Sequence, residues 1–159
     1  MEDTEKQRIL VLGAGGMLGN AVFRLFAEDG RFSTTGTLRS PAKAHHFTSE
    51  ERKRLITDVD VTQDRALVSA FAQANPTTVI NCVGIIKQQK SAMDPLTALT
   101  MNAVLPHRLA KLCEASGSRL IHMSTDCVFS GLKGGYTEDD VADADDLYGR
   151  TKYLGETDY

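Results

Sequence analysis

The sequence predicts an α/β protein built on a doubly wound parallel sheet, and three observations predict it. Short β-rich apolar runs alternate with helically spaced apolar residues along the 159 residues. A glycine-rich connection, Gly13 to Gly19, separates the first such run from the first helical pattern. The polar residues able to do chemistry fall at the carboxyl ends of the expected strands, where a sheet of this kind binds ligands.

Bulk properties narrow the class. With 42% hydrophobic and 25% charged residues, the chain can bury one sizeable core, and one globular domain over residues 1–159 is expected. A net charge of -3 gives no reason to expect nucleic acid as a partner. The three cysteines, Cys82, Cys113 and Cys127, are too widely spaced for a metal signature and odd in number for a disulfide framework, so no metal site is expected and a reducing cytoplasm is the natural compartment. Cys82 and Cys127 sit beside apolar strand residues and read as small buried side chains. The N-terminus lacks the order of a secretory signal, and no apolar stretch approaches the ~18 residues that would suggest a membrane partner.

The elements follow in order. Residues 8–12 form a strand that stops at glycines, after which Leu18, Val22, Leu25 and Phe26 recur at helical spacing. A second strand lies within residues 32–38, and a polar connection through His45 and His46 leads to a third at Leu55 and Ile56. Thr62 is expected to cap a helix carrying Leu67, Phe71 and Ala74, ended by Asn75 and Pro76. Residues 78–83 form a fourth strand buried on both faces. Asp94 and Pro95 begin a long helix that reaches Ala115 and stops at Gly117, with a bend at Pro106. A fifth strand covers residues 119–123, the acidic stretch 138–146 is an exposed loop, and the last helix starts near Asp146.

The turn contains Gly13, Gly15, Gly16, Met17, Leu18 and Gly19. Glycines here permit a tight turn, backbone approach to a pyrophosphate and close packing of helix on strand, and the helix N-terminus attracts negative charge. A ligand-free glycine connection is the plainer reading, which the placement after a strand disfavours. The second strand ends without the acidic residue that meets a free 2'-hydroxyl; Arg39 there suits a 2'-phosphate, so NADP(H) is preferred over NAD(H), although a surface Arg is also ordinary. Asp60 and Val61 follow the third strand, where a carboxylate accepts from an adenine amino group or caps the next segment. Asn81, Cys82, Val83 and Gly84 end the fourth strand, where backbone must pass close to a cofactor. Asn102 would fix backbone or a water that relays protons to Lys152, or face solvent. Either hydroxyl of Ser124 and Thr125 can point at a substrate carbonyl. His45 and His46 have no ligand-spaced partner, and the run of Lys87, Gln88, Gln89 and Lys90 reads as a solvated basic loop.

Tyr148 and Lys152 are four residues apart, so on a helix they share a face about 5 to 6 Å apart at Cβ. An ammonium so placed lowers the pKa of a phenol from about 10, which suits a proton donor to a carbonyl accepting hydride. Alone, such a pair is more often a solvated face.

GAGGMLG at 13–19, NCVG at 81–84, STDCVFSG at 124–131, YTEDD at 136–140 and YGRTK at 148–152 occur in that order. Together they resemble an extended short-chain dehydrogenase/reductase with a Rossmann NAD(P)-binding fold. The STDxVF run followed by GxYxE and YGxxK is most similar to the dTDP-4-dehydrorhamnose reductase branch. The resemblance runs from Arg8 onward and implies a reductase of a nucleotide-linked 4-keto-deoxysugar in polysaccharide biosynthesis, with a nucleotide sugar as substrate. It implies that Tyr148 is the general acid, that Lys152 binds the nicotinamide ribose, that Thr125 orients the sugar carbonyl, that Asn102 is the helix asparagine, and that the glycines, Arg39 and Asp60 hold the cofactor. IIKQ at 85–88 departs from the family pattern, so the particular sugar is not specified.

Family members run to roughly twice this length, so the sequence reads as the N-terminal portion of such a protein, without its substrate domain. A sheet ending there leaves an edge and an apolar face for another chain or segment to cover, which is compatible with a homo-oligomer. The alternatives are a nucleotide-sugar epimerase or dehydratase with tightly bound NAD, and a non-catalytic nucleotide-binding regulatory module.

Overall fold

The computed structural model describes residues 6–87 and 94–157. They form a five-stranded sheet in the order β3-β2-β1-β4-β5, from β1 (Gln7–Leu12), β2 (Phe32–Thr37), β3 (Leu55–Ile56), β4 (Thr78–Asn81) and β5 (Arg119–His122). β1 pairs in parallel with β2 and β4, and β2 with β3. As the central strand, β1 buries Ile9, Leu10, Val11 and Leu12 consecutively, which is why it reads as a continuous apolar run rather than an alternation. The doubly wound parallel sheet is as the sequence predicts. By contacts the chain divides into two compact units, Met1–Val83 with Lys111–Ile121, and Gly84–Ala110 with His122–Tyr159.

In the first unit, α1 (Met17–Glu28) follows the glycine turn and buries Phe23, which meets Phe47 edge to face at 5.6 Å. The connection holding the exposed His45 and His46 is more ordered than its polarity suggests. It contains a 3-10 turn (Pro41–His46) and α2 (Ser49–Arg52), the latter closed by a reciprocal Thr48 and Glu51 capping box. α3 (Asp64–Ala74) ends at Asn75, which adopts a left-handed φ of 40° and donates its N–H to Phe71 O. Thr62 does not cap α3. Gln63 occupies that position with no side-chain bond to the helix amides, and the Thr62 hydroxyl is given to Asp60.

In the second unit, α4 (Pro95–Ala98) starts at Asp94, whose carboxylate accepts from Thr97 N. The expected continuous helix is then interrupted by a π-helical segment (Leu99–Val104) before α5 (Leu105–Ser116). Pro106 has no N–H for the carbonyl of Asn102, so the irregularity falls in the turn before the proline, with Leu105 N donating to Thr100 O five residues back. α5 carries the chain from this unit into the first. α6 (Leu147–Tyr153) begins at Asp146, which accepts from Gly149 N. Of the cysteines, Cys113 is buried, whereas Cys82, just beyond the end of β4, and Cys127, in a 3-10 turn (Asp126–Val128), are only partly covered. Among the described residues, no helix is long and apolar enough to cross a membrane.

Gly19 packs its backbone directly on the turn: a Cβ there would overlap the carbonyl oxygen of Gly13. Gly30, beyond the end of α1, has open space around the same position. Gly19→Ala is expected to destabilise the chain by about 2 to 4 kcal/mol, while Gly30→Ala changes stability by less than about 0.5 kcal/mol. Urea denaturation of both variants checks the contrast, and equal midpoints would refute it.

Candidate functional site

The first unit holds the residues expected to take a dinucleotide. Gly13 turns with φ +83°, a conformation that favours glycine, and its N–H donates to Thr37 Oγ1 at 3.1 Å. Ala14 N donates to Thr37 O, and Gly16 N closes the turn on Gly13 O, each at 3.0 Å. The end of β2 thus fixes the turn, and Val83 packs against it: a Cβ on Gly13 would lie 2.8 Å from Val83 Cγ2 and 3.5 Å from the Cys82 carbonyl carbon. α1 begins at Gly16 with no side-chain cap and no acidic residue in its first turn, an arrangement that leaves the positive end of the helix for an external anion. Gly15 is half-buried; Gly16, Met17 and Leu18 are exposed beside it, Met17 at 94%.

Arg39 is exposed. Asp60 accepts from Thr62 N at 3.0 Å and Thr62 Oγ1 at 2.8 Å. Those two bonds hold its carboxyl below the usual range, amide first, with the charge of Arg39 adding a smaller push. Val61 is buried in the core of this unit. Asn81 is buried and its Oδ1 accepts from Val83 N, which shapes the backbone beyond β4, and burial pushes the Cys82 thiol up to about 11.

The second unit gathers Gly84, Asn102, Thr125, Tyr148 and Lys152. Asn102 lies in the π-helical segment at 1% exposure. Its Oδ1 accepts from Ile85 N at 2.8 Å; its Nδ2 donates to Ile85 O at 3.0 Å and to Thr151 Oγ1 at 3.3 Å. Thr151 in turn donates to Tyr148 O at 3.0 Å. Of the open roles for Asn102, the structure shows backbone fixation: one amide ties the segment after Gly84 to the helix that carries Tyr148 and Lys152.

Lys152 is 5% exposed, and its Nζ donates to Met123 O at 2.5 Å and approaches His122 Nε2 at 3.5 Å. Burial lowers its pKa, partly offset by Glu156. Tyr148 is half-buried, with Lys87 Nζ 5.6 Å from its ring centroid. Lys87 also pairs with Asp146 at 2.6 Å, so Asp146 is both ion-pair partner and cap of α6. Gln88, Gln89 and Lys90 lie outside the described residues. Thr125 Oγ1 accepts from Cys127 N at 3.2 Å and donates to Asp126 Oδ1 at 3.3 Å; the Ser124 hydroxyl is bonded to Glu156. A cleft of about 500 Å³ opens beside these groups, lined by Lys87, Asp126, Cys127, Asp146 and the stacked rings of Phe129 and Tyr136. Sequence reasoning missed Thr151 and His122. Thr151 sits inside the YGRTK run and was open to notice, whereas His122 shows no spacing signal.

The parallel sheet, the glycine turn ahead of an uncapped helix and the Tyr148 and Lys152 pair on one short helix define a nucleotide-binding α/β protein of the Rossmann type. A family model described as the RmlD substrate binding domain matches residues 7–158, and the chain belongs to that family. The dTDP-4-dehydrorhamnose reductase of Mycolicibacterium smegmatis is 36% identical over 97% of this chain and 42% of its own length. Methionine adenosyltransferase 2 subunit beta of Xenopus tropicalis is 32% identical over 94% of this chain and 42% of its own. The chain therefore spans less than half the length of these curated relatives.

Among solved structures, a hypothetical dTDP-4-dehydrorhamnose reductase from Sulfolobus tokodaii is similar with a TM-score of 0.76 and 28% identity, covering 94% of this chain and 50% of that one. The dTDP-4-dehydrorhamnose reductase of Bacillus anthracis, in complex with NADP, shares the fold with a TM-score of 0.72 at 24% identity, over 94% of this chain and 48% of that one.

Replacing Asn102 by Ala leaves Ile85 N–H and C=O buried without their partner. The expected cost is about 2 to 4 kcal/mol in chemical denaturation. A loss under about 0.5 kcal/mol would mean that the segment after β4 is held by something else.

Proposed function

We propose that the chain works as an NADP(H)-preferring reductase of a nucleotide-linked 4-keto-deoxysugar, with Tyr148 as proton donor. The observation that carries the reading is Lys152: a lysine ammonium almost fully buried one helical turn after Tyr148 is costly unless its charge is used. The relatives named dTDP-4-dehydrorhamnose reductase support the substrate class.

The residues present fit a dinucleotide. The first turn of α1 has no protein cap, and side chains at Gly13 or Gly19 would fill the space against Val83 or the turn itself. Gly13, Gly15, Gly16, Met17, Leu18 and Gly19 would hold the pyrophosphate, Arg39 the 2'-phosphate, and Asp60 with Val61 the adenine end, while Cys82, Val83 and Gly84 would offer close backbone. The bound nicotinamide cofactor supplies the hydride. Tyr148 then gives its hydroxyl proton to the carbonyl oxygen of the sugar. Lys152 would stabilise the phenolate left behind, and it is the residue that would hold the nicotinamide ribose. Thr125 can orient the same carbonyl, because its hydroxyl accepts from Cys127 N and spends its proton only on a long 3.3 Å bond to Asp126, which a carbonyl at a shorter, straighter approach can replace. Asn102 keeps the helix carrying the pair in place.

Tyr148→Phe is expected to lower kcat for NADPH-dependent reduction of a dTDP-4-keto-6-deoxysugar by at least ~100-fold while NADPH affinity stays within about threefold. Turnover that survives the change would remove Tyr148 from the chemistry. Arg39→Ala is expected to weaken NADPH by about 10- to 100-fold and leave NADH unchanged, as read by calorimetry. Equal losses for both cofactors would overturn the phosphate role.

A second reading is favoured by one observation, the 32% identity to a protein named as a subunit of methionine adenosyltransferase 2. In that reading the chain is a nucleotide-binding regulatory module, and Tyr148→Phe leaves its function intact.

A further inference from the structure

Beside the buried Lys152 lies a second, half-buried titratable side chain that the proposed chemistry does not use. His122 ends β5, and its Nε2 lies 3.5 Å from Lys152 Nζ, next to the 2.5 Å bond from Nζ to Met123 O. An ammonium has protons to give and no lone pair, so the nitrogen facing it must be the unprotonated one, with the ring neutral and its proton on Nδ1. Asn102, which the sequence suggests as a relay to Lys152, has both ends of its amide on Ile85 and Thr151.

We propose that His122 is a positioning residue for Lys152: its neutral ring accepts from the ammonium and holds it beside Met123 O, and protonation of the ring drives the ammonium from that place. The proposal rests on the reading of Lys152 as the partner of Tyr148.

The groups facing His122 agree with it. Lys152 approaches from α6, and His107 from α5, with its own Nε2 2.7 Å from Leu154 O. Glu156, just beyond α6, acts on Lys152. Burial first, then the charges of Lys152 and His107, hold the imidazole down at about 4 against an ordinary 6.5. Unfolded chains therefore take up this proton near pH 6.5 and folded chains only near pH 4. The arrangement is fully stabilising above that window, and its contribution is lost as pH falls through it.

The test is long-range proton–nitrogen NMR of the full chain, labelled in histidine and lysine and titrated from pH 8 to 4, on the wild type and Lys152→Met. Expected are an unprotonated Nε2 on His122 at pH 7, a midpoint at least one pH unit below ordinary histidine, and an upward shift of that midpoint in Lys152→Met. The ε-methylene of Lys152 should move at the same midpoint in the wild type, a readout that needs no variant. A protonated Nε2 at pH 7, no shared midpoint, or a midpoint unmoved in Lys152→Met would each overturn the proposal.

Turnover supplies the second arm. His122→Leu should lose at least tenfold, and His122→Gln, whose oxygen still accepts, should restore it and abolish the acid limb of the kcat profile. An unchanged acid limb in His122→Gln overturns the link to catalysis. Spectral coupling without any reduction by the wild type supports the contact and counts against the reductase reading instead.

Discussion

The side-chain amide of Asn102 satisfies both backbone groups of Ile85 and the hydroxyl of Thr151, and all three bonds are buried. Each of those groups would cost on the order of 1 to 3 kcal/mol if left buried and unpaired, so the amide decides where the segment after β4 and the helix α6 can sit. Tyr148 and Lys152 inherit their positions from it, through the bond from Thr151 to the Tyr148 carbonyl. Asp146 acts at the other end of the same helix, closing its first turn and neutralising Lys87 over the tyrosine ring. A seven-residue helix is too short to persist on its own propensity, and these two anchors take the place of length.

In the first unit the corresponding constraint is steric. The turn after β1 is compressed between Thr37, the backbone at Cys82 and Val83, and the start of α1. Only glycine at positions 13 and 19 lets those surfaces meet. The same closeness leaves the first amides of α1 unobstructed by side chains, so a packing requirement and a preference for anions have one origin.

Much of this was legible in the sequence. Strand and helix order followed from apolar periodicity, since β1 and β4 are buried on both faces and α1 and α3 on one. The glycine turn followed from its spacing and placement, whereas Thr125, Asn102 and the Tyr148 and Lys152 pair were singled out by the motifs the chain shares with a known family. What spacing could not show was side-chain allegiance. Thr62 looks like a helix cap but serves Asp60, because the carboxylate two residues earlier is the better partner for its hydroxyl. Asn102 reads from spacing alike as a backbone, relay or solvent residue, and its role as a clamp is decided by contacts 17 and 49 residues away in sequence. His122 carries no motif, and its closeness to Lys152 exists only once β5 and α6 are packed.

The π-helical segment before Pro106 has a bearing on sequence length. A π turn amounts to one residue more than an α-helix needs over the same rise, so deleting one residue within 99–104 would restore regular hydrogen bonding and strengthen the helix locally. It would also rotate everything before the deletion by about 100° relative to α5, and Asn102 would leave Ile85. Local helical stability and the clamp are therefore opposed here, and the irregular backbone records that the clamp prevails.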